Sequence, residues 1–308
     1  MSDNALISVI MPVYNAEKFL RKAIDSILYQ SFGNFEFIIV NDGSTDGSES
    51  IVKAYDDPRI RYVSQQNTGI GGALRRGCEL ALGVYIARMD ADDICFPGRL
   101  AIQKKYLDCH PSVVLVSSAV EYINDKGDKI GRSFPYTSDF AIRNKLKRIN
   151  PVCHPGVMMR TANYRRSIGY RDIQPFEDHL LWLSMAKQGR MHNFSFPLLC
   201  YRILNRSASR TITADQSKVL FEFLARRLVK GCLDDDAIKS YNELYMEEKK
   251  IALTMPANSG NALDSKDIKS ITSQNQLTTY NTMKTMKLPE PLVEWLICNF
   301  KNTCLSLI

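Results

Sequence analysis

The chain has 308 residues, of which 45% are hydrophobic and 24% are charged. These shares are close to the average for globular proteins, and they argue against a disordered, collagenous or membrane-spanning chain. No apolar stretch approaches the roughly 20 residues that a helix needs to cross a bilayer. The length is sufficient for one large domain, or for a catalytic domain with an appendage.

The start of the chain and its cysteines both bear on the cellular compartment. Residues 1–4 are polar, and the apolar run that follows continues directly into a strand, so we predict no secretory signal. The 8 cysteines form no Cys-x-x-Cys pair. We expect reduced thiols, because structural disulfides are rare in the cytoplasm, which is the compartment that we predict.

The positive net charge of +7 is unevenly distributed along the sequence. Residues 141–171 contain no acidic residue, and their basic residues are Arg143, Lys145, Lys147, Arg148, Arg160, Arg165, Arg166 and Arg171. Two interpretations are open: a solvated basic face, or contact with an acidic membrane surface or a phosphorylated acceptor. We expect no nucleic-acid partner, and the oligomeric state stays open.

Strand-like and helix-like patterns alternate in the first third of the chain, which predicts a parallel sheet covered by helices. The predicted strands are Leu6–Met11, Phe35–Val40, Ile60–Val63 and Val84–Met89. The first two are continuous apolar runs, which are typical of strands buried on both faces. Helical spacing predicts one helix from Phe19 to Leu28, with Asn15 as its N-cap, and another from Ala73 to Leu82.

The alternation loosens after residue 90. Val113–Val120 is the last strand that we predict before an irregular, basic region, and Phe176–Lys187 is predicted to be a short helix. A helical pattern begins at Thr213, and the polar segment 257–280 is typical of a linker. The apolar tail, residues 288–308, is predicted to be a helix that packs on the protein's own core.

The strongest local signal is the run Arg-Met-Asp-Ala-Asp-Asp at residues 88–93, where a predicted buried strand ends. Ligands of open α/β sheets usually bind at the carboxyl ends of the strands. Crowded carboxylates repel one another, and a hard divalent cation such as Mg²⁺ or Mn²⁺ relieves that repulsion. Acidic loops without a metal are also common, so the run by itself leaves both interpretations open.

A second motif, Asn-Asp-Gly-Ser-Thr-Asp at residues 41–46, follows the second predicted strand. Gly43 permits a tight turn, and Asp46 or Ser48 can cap the next helix. Such a turn does not need Asp42, which is placed where it could accept hydrogen bonds from a base or a ribose.

A third motif, Pro-Val-Tyr-Asn at residues 12–15, closes the first strand. Tyr14 then lies at the same predicted sheet edge as Asp42 and Asp90. Its ring could stack on a nucleobase or could simply pack against the protein.

In this order the three motifs resemble those of glycosyltransferase family 2. Later matches extend the resemblance over roughly residues 5–210, and they are His154–Arg160, Gly169–Tyr170, Phe176–Trp182 and Tyr201–Arg202. The resemblance implies a GT-A fold in residues 1–210, which is a Rossmann-like, mixed α/β sheet with flanking helices. It implies a donor half at about 1–110, an acceptor half at about 111–210, and a helical C-terminal extension at 211–308.

The resemblance also assigns roles in donor binding. In this family the tyrosine that matches Tyr14 stacks on the uracil of a UDP-sugar, and the aspartate that matches Asp42 bonds the base. Asp90 is implied to contact the ribose or, at the metal site, a water bound to the metal. Asp92 is implied to ligate the Mn²⁺ or Mg²⁺ that stabilises the UDP leaving group. The remaining donor contacts expected within these motifs are Pro12, Asn15 and Ala91.

On the acceptor side, Glu177 and Asp178 match the Glu-Asp motif of the family, in which the aspartate takes the proton from the acceptor hydroxyl. Metal and base on opposite sides of the sugar give a single displacement that inverts the anomeric centre. Without the resemblance, this pair indicates only an acidic helix start. His154 is expected to contact the donor or the acceptor, or to be structural. Arg75 stands where the family often has Asn, and we expect that Arg75 or Arg76 either pairs with phosphate or only faces solvent.

Other functional classes fit the sequence less well. Gly69-Ile-Gly-Gly does not follow the first strand and lacks the third glycine of a dinucleotide-binding fingerprint. A sugar nucleotidyltransferase would carry a Gly-rich loop with Arg where Pro12–Asn15 stands. A non-catalytic nucleotide-sugar-binding module would not need to retain Asp90, Asp92 and Asp178.

We therefore expect a metal-dependent, inverting hexosyltransferase that uses a UDP-linked glucose, galactose or N-acetyl form. The absence of a transmembrane helix and of a Gln-x-x-Arg-Trp motif favours single addition over processive synthesis. The expected acceptor is a saccharide on a lipid diphosphate such as undecaprenyl diphosphate, as in bacterial surface-polysaccharide (O-antigen) synthesis. The basic segment 141–171 would meet that diphosphate and the anionic inner face of the cytoplasmic membrane.

Overall fold

The computed structural model describes residues 7–173 and 176–204, together with single positions at 225, 228, 233, 235, 236, 238, 239, 241 and 242. The chain divides into two units, Met1–Ser207 and Ala208–Ile308, and the elements below belong to the first. The predicted linker at 257–280 and the predicted helical tail at 288–308 lie outside the described residues. No helix in this described part is both long and apolar enough to span a bilayer.

The described strands form one mixed sheet with helices packed on it. In chain order the strands are β1 (Ile7–Val13), β2 (Phe35–Asp42), β3 (Ile60–Gln65), β4 (Tyr85–Arg88), β5 (Ile94–Cys95), β6 (Val113–Ile123), β7 (Lys129–Arg132), β8 (Met158–Arg160) and β9 (Arg190–Arg202). Their order across the sheet is β3-β2-β1-β4-β8-β6-β9-β5, and β7 pairs with β6. The helices are α1 (Glu17–Leu28), α2 (Ser48–Lys53), α3 (Gly69–Leu80), α4 (Arg99–Cys109), α5 (Asp139–Leu146), α6 (Thr161–Arg165) and α7 (Glu177–Ala186).

β1 is the centre of the parallel half of the sheet. It pairs in parallel with β2 on one side and with β4 on the other, and β3 extends the parallel set beyond β2. Helix α1 packs on the face of β1 that carries Val9 and Met11, whereas α3 packs on the face that carries Ile10. Both faces of β1 are covered, which is consistent with its nearly continuous apolar sequence. The predicted strand–helix alternation of the first third is confirmed.

The prediction that Val113–Val120 is the last strand before an irregular region is wrong, because β7, β8 and β9 follow it in the chain. β9 has 13 residues and pairs in parallel with β6, while the short β8 runs antiparallel to both β4 and β6. Pro197 and a shift of register opposite Ser118 and Ala119 interrupt the periodicity of β9. β8 has only 3 residues, too few to produce a pattern.

The predicted N-cap of the first helix is also wrong. Ala16 occupies the N-cap position of α1, and no side chain caps it there. Asn15 adopts a left-handed conformation with φ of 49°, which asparagine tolerates better than most residues. Its Oδ1 instead accepts a hydrogen bond from the amide of Thr45 at 2.8 Å. Asn15 therefore joins the loop after β1 to the loop after β2.

Candidate active site

The carboxyl ends of three adjacent parallel strands bring the predicted nucleotide motifs together. β1 lies between β2 and β4, so Tyr14, Asp42 and Asp90 all stand at or just beyond the same edge of the sheet. Tyr14 is 55% exposed, which leaves its ring accessible to a stacking partner. The edge thus combines an accessible aromatic ring with two carboxylates.

Asp42 is almost fully buried, and its carboxylate is anchored by the elements beside it. Its Oδ1 accepts hydrogen bonds from the amide of Thr68 at 2.9 Å and from the side-chain amide of Gln65 at 2.8 Å. Gln65 ends β3 and Thr68 precedes α3, so two elements fix the orientation of the carboxylate. Oδ2 takes no part in these bonds, and it is the oxygen left for a base or a ribose.

The loops after β1 and β2 are held to each other by side chains of the second motif. The amide of Ala16 donates to Ser48 Oγ at 2.9 Å, and the amide of Glu17 donates to Asp46 Oδ2 at 3.0 Å. Asp46 Oδ1 also accepts from the amide of Ser48 at 3.0 Å. Amides at a helix start lack partners inside the helix, and Asp46 supplies acceptors at the starts of both α1 and α2. The predicted turn therefore also positions the loop that carries Tyr14.

Asp90, Asp92 and Asp93 form a compact acidic cluster after β4. One carboxylate oxygen of each lies within 4.8 Å of the others. Burial, with the charge of Asp90 added to it, raises the pKa of Asp92 to about 6. Burial likewise raises the pKa of Asp93 well above its ordinary value, and its Oδ2 has no hydrogen-bond partner in the described part of the chain.

These residues fit a divalent cation. Carboxylate oxygens are the ligands that Mg²⁺ and Mn²⁺ prefer, and few protein ligands are needed when substrate phosphates complete the shell. A cation here would stabilise the charged forms of both carboxyls, whose pKa values are raised first by burial and then by repulsion from neighbouring carboxylates. It would also give the buried Oδ2 of Asp93 the partner that it lacks. Asp92 and Asp93 are the side chains best placed to hold it.

Asp90 differs from its neighbours because Arg88 engages both of its oxygens. Nη1 of Arg88 donates to Asp90 Oδ2 at 2.6 Å, and Nη2 lies 2.5 Å from Asp90 Oδ1. Arg88 is 2% exposed, so the pair is buried on the arginine side. The sequence motifs predict no role for Arg88. The available signal was a charged residue at the end of an apolar strand, two positions before an acid.

Two further arginines hold the backbone of the acidic run. Arg202, the last residue of β9, donates from Nε to the carbonyl oxygen of Asp92 at 2.8 Å, and its amide donates to Asp93 Oδ1 at 2.8 Å. Arg99 is fully buried and donates from Nη2 to the carbonyl oxygen of Arg88 at 2.6 Å. The sequence match at Tyr201–Arg202 carried no assigned role. In the structure it fixes a loop that lies 109 positions earlier.

Glu177 and Asp178 begin α7 as a second, largely buried acidic group. Asp178 Oδ2 accepts a hydrogen bond from Asn150 Nδ2 at 2.6 Å, and Oδ1 accepts from the amide of His179 at 2.6 Å. Burial raises the pKa of Asp178 to about 6. Burial and then the charge of Asp178 raise the pKa of Glu177 to about 8, and Glu177 Oε2 has no partner among the described residues. Asp178 is therefore the more acidic of the two and ionises first as the pH rises.

His154 lies beside Asp178. Its Nδ1 is 3.6 Å from Asp178 Oδ2, and its Nε2 shares a hydrogen bond of 2.9 Å with the hydroxyl of Tyr170. Burial, helped by the positive charge of Arg88, lowers the pKa of His154 well below its ordinary value. The ring is therefore neutral near pH 7, and its contact with Asp178 is not an ion pair.

Arg75 is not brought into this constellation. It lies on the exposed side of α3, and within the described residues no hydrogen bond or ion pair joins it to the other predicted site residues. Pro12, Asn15 and Ala91 lie in the loops or strand ends at the site edge, as their motifs require.

Much of the basic segment 141–171 is used inside the fold. Arg143 donates to the carbonyl oxygens of Ala186 and Gly189, and Arg160 donates to that of Leu107. Further along, Arg165 donates to the carbonyl oxygen of Ala81. Lys147 and Arg148 are exposed, and they precede Asn150, the residue that bonds Asp178. Only part of the predicted basic face is therefore available to an anion.

Comparison with known proteins identifies the family. The model described as glycosyl transferase family 2 matches residues 8–168. EpsE of Bacillus subtilis, which carries the name of a glycosyltransferase, is 31% identical over 267 residues, or 83% of this chain and 92% of EpsE. An uncharacterized glycosyltransferase of Haemophilus influenzae is 30% identical over 268 residues, or 81% of this chain and 83% of that protein. The chain belongs to glycosyltransferase family 2, as the motifs predicted.

Solved structures show the same fold at low sequence identity. TarS residues 1–349 of S. aureus, in complex with UDP-GlcNAc, superposes with a TM-score of 0.68 at 18% identity, over 98% of this chain and 91% of that one. The mannosyltransferase PcManGT from Pyrobaculum calidifontis, in complex with GDP-Man and Mn²⁺, gives a TM-score of 0.51 at 18% identity, over 98% and 81%. At these identities the likeness concerns the fold, and the predicted GT-A fold is confirmed.

Proposed function

We propose that this glycosyltransferase is a metal-dependent, inverting hexosyltransferase that uses a UDP-sugar donor. The proposal rests on one observation, which is that the protein has two acidic groups in different environments. Asp92 and Asp93 offer carboxylates to a cation, whereas Asp178 is a buried carboxylate fixed by two hydrogen bonds. Arg88 interacts electrostatically with both Asp92 and Asp178, and Asp90 with Glu177, which supports the assignment of the two acidic groups to one site.

The donor is bound at the carboxyl edge of the parallel strands. Tyr14 stacks on the base, and the anchored Asp42 presents Oδ2 to the base or the ribose. Asp90 contacts the ribose side of the nucleotide, with Pro12, Asn15 and Ala91 shaping the same pocket. A cation held by Asp92 supplies Lewis-acid stabilisation of the negative charge that develops on the UDP leaving group. UDP-GlcNAc in the TarS complex supports a nucleotide-sugar donor of this kind.

Asp178 acts as the base toward the acceptor hydroxyl. An ionised carboxylate with one oxygen held by Asn150 and the other by a backbone amide has a fixed direction for proton transfer. His154 is neutral, bonds the hydroxyl of Tyr170, and lies 3.6 Å from the carboxylate of Asp178. Attack by the acceptor oxygen from the side opposite the leaving UDP inverts the anomeric centre, so an α-linked donor gives a β-linked product.

The acceptor is a saccharide carried on a lipid diphosphate, as in bacterial surface-polysaccharide or O-antigen synthesis. Lys147 and Arg148 are exposed cations close in sequence to Asn150, and they support an anionic group near the base. In this arrangement the enzyme acts at the cytoplasmic face of the membrane, bound to its surface.

UDP release from UDP-glucose, UDP-galactose and their N-acetyl forms, each with and without candidate acceptors, tests the proposal. We expect Asp92→Ala to abolish metal-dependent UDP binding. Asp178→Asn should leave UDP binding intact and lower the transfer rate by about 100-fold to 10,000-fold, the range for loss of a general base.

Asp125→Asn is the matched control, because this aspartate is exposed and its ion pair with Lys18 lies at the surface. It should transfer at the wild-type rate. Transfer by Asp178→Asn at that same rate would show that the base is another residue, and a protein that binds UDP but never releases it from a UDP-sugar would not be the proposed enzyme.

A further inference from the structure

Among the described residues, the side chain of Arg88 hydrogen-bonds to one partner, the carboxylate of Asp90. Its guanidinium reaches both oxygens of Asp90, at 2.6 Å and 2.5 Å, in the two-pronged geometry that makes arginine–carboxylate pairs strong and directional. The arginine is 2% exposed, so water cannot readily replace it. While this pair holds, Asp90 is not a free metal ligand.

The backbone beneath the pair is itself fixed. The amide of Arg88 donates to the carbonyl oxygen of Val157 at 2.9 Å, and the buried Arg99 donates to the carbonyl oxygens of both Arg88 and Val157. Arg88 therefore approaches Asp90 from a rigid strand end rather than from a loop. A pair built in this way is a feature of the site and not a chance surface contact.

The pair divides a cluster of three carboxylates. Oxygens of Asp90, Asp92 and Asp93 lie within 4.8 Å of one another, a spacing that suits one divalent cation. A guanidinium and a divalent cation compete for the same oxygens and repel each other at short range. With Asp90 bound to Arg88, only two of the three carboxylates remain for the metal.

We propose that Arg88 is a positioning residue that withholds Asp90 from the metal, so that the protein binds a divalent cation tightly only when a nucleoside diphosphate supplies the missing oxygen ligands. The proposal deepens the proposed function and rests on it for the donor's chemical class. It makes metal and donor binding mutually dependent. It also keeps the Asp90 carboxylate in one orientation, in which it can accept hydrogen bonds from the donor.

The test is equilibrium binding of Mn²⁺ to the full chain, measured by calorimetry with and without UDP. Wild-type protein should bind Mn²⁺ weakly alone and more tightly with UDP. Arg88→Met frees Asp90 as a third ligand, so Mn²⁺ affinity without UDP should rise by about tenfold, the lower end of the range for changes beside metal ligands. The additional gain from UDP should shrink. A residue that merely supports the fold would weaken both affinities on removal.

Arg202→Met is the matched control. Arg202 is also buried and close to Asp92 and Asp93, but its side chain donates to the carbonyl oxygens of Asp92 and Asn124 and not to a carboxylate. Its removal takes away a similar charge without freeing a ligand, so Mn²⁺ affinity should not rise. The double variant Arg88→Met with Asp90→Asn should return to wild-type affinity, because the freed ligand is gone.

Arg88→Lys serves if the methionine variant fails to fold, which its thermal unfolding curve would reveal. Lysine keeps the charge but not the two-pronged contact, and it should give a smaller rise in Mn²⁺ affinity. A folded Arg88 variant that binds Mn²⁺ no more tightly than wild type would overturn the proposal, as would an equal rise in Arg202→Met. Wild-type protein that binds no Mn²⁺ even with UDP would instead refute the metal role in the proposed function. In that case, a higher Mn²⁺ affinity of the Arg88 variant in the absence of UDP would still support the proposal that Arg88 withholds Asp90 from the metal.

Discussion

At the scale of single residues, burial determines the chemistry of this site. Asp92, Asp93, Glu177 and Asp178 all have raised pKa values, in each case chiefly because burial disfavours the charged form. The compensating charge comes mainly from Arg88. The result is a group of carboxylates with raised pKa values, which is typical of functional sites.

The base assignment predicts a pH profile. Because the pKa of Asp178 is about 6 and the base must be ionised, kcat/KM should rise through pH 6 to a plateau at higher pH. The hydrogen bond from Asn150 lowers this pKa, so Asn150→Ala should shift the rise to higher pH. Steady-state UDP release between pH 5 and 8 gives the pH dependence of kcat/KM for the wild type and for Asn150→Ala. If the midpoint pH of the rise were the same in both proteins, the assignment would be contradicted.

At the scale of secondary-structure elements, the site depends on how closely α3 approaches β1. A Cβ atom added at Gly77 would lie 2.4 Å from Cγ2 of Ile10, so the helix rests directly on the strand that leads to Tyr14. The same helix begins after Thr68, whose amide anchors Asp42. Close packing of one helix thus positions two of the three motifs at the nucleotide edge.

Gly77→Ala should therefore destabilise the fold. The added methyl group overpacks the α3–β1 contact, at a cost of about 1–3 kcal/mol in the free energy of unfolding. Gly33→Ala is the control, because no atom lies within 4 Å of the position of its added Cβ. Urea unfolding of both variants measures the difference, and equal stabilities would show that α3 can move away from β1 without loss.

At the scale of the described unit, the mixed half of the sheet brings residues that are distant in sequence to the acidic run after β4. β8 pairs with β4, and β9 pairs in parallel with β6 and ends at Arg202 beside the acidic run. Burial, then the charge of Asp178 and to a smaller extent that of Asp90 raise the pKa of Glu177, so the acidic run and the start of α7 lie within electrostatic range of each other. The exposed Lys147 and Arg148 lie on the segment that leads to Asn150, the residue that bonds Asp178.

We predict that these two cations attach the protein to anionic lipid. The double variant Lys147→Glu with Arg148→Glu should lose most of its binding to vesicles with anionic lipid, because it places like charge against the surface. Lys22→Glu with Lys105→Glu makes the same change in net charge at exposed positions elsewhere. Vesicle co-sedimentation at increasing salt concentration measures the binding of each protein to the vesicles, because salt screens surface charges and so weakens electrostatic binding. Binding by neither the wild type nor the control, even at low salt, would remove the membrane from the proposal.

Several elements and motifs were predictable because they follow from local patterns. β1 to β4 and helices α1, α3 and α7 lie close to their predicted positions, since buried strands and amphipathic helices have characteristic periods. Tyr14, Asp42 and Asp90 were expected at one edge because parallel strands place their carboxyl ends together. β8 and β9 were missed, since three residues give no period and Pro197 interrupts the longer strand.

The sequence by itself determined the family, the fold class and the motifs that supply the carboxylates and the aromatic ring. Tertiary structure decided what surrounds them. Arg88 engages Asp90 rather than solvent, and Arg202 reaches a loop 109 positions earlier, because strand order and burial leave each guanidinium those acceptors. Burial also decides the protonation of Glu177 and Asp178. Desolvation and distant charges set these properties, and neither is encoded in the spacing of neighbouring residues.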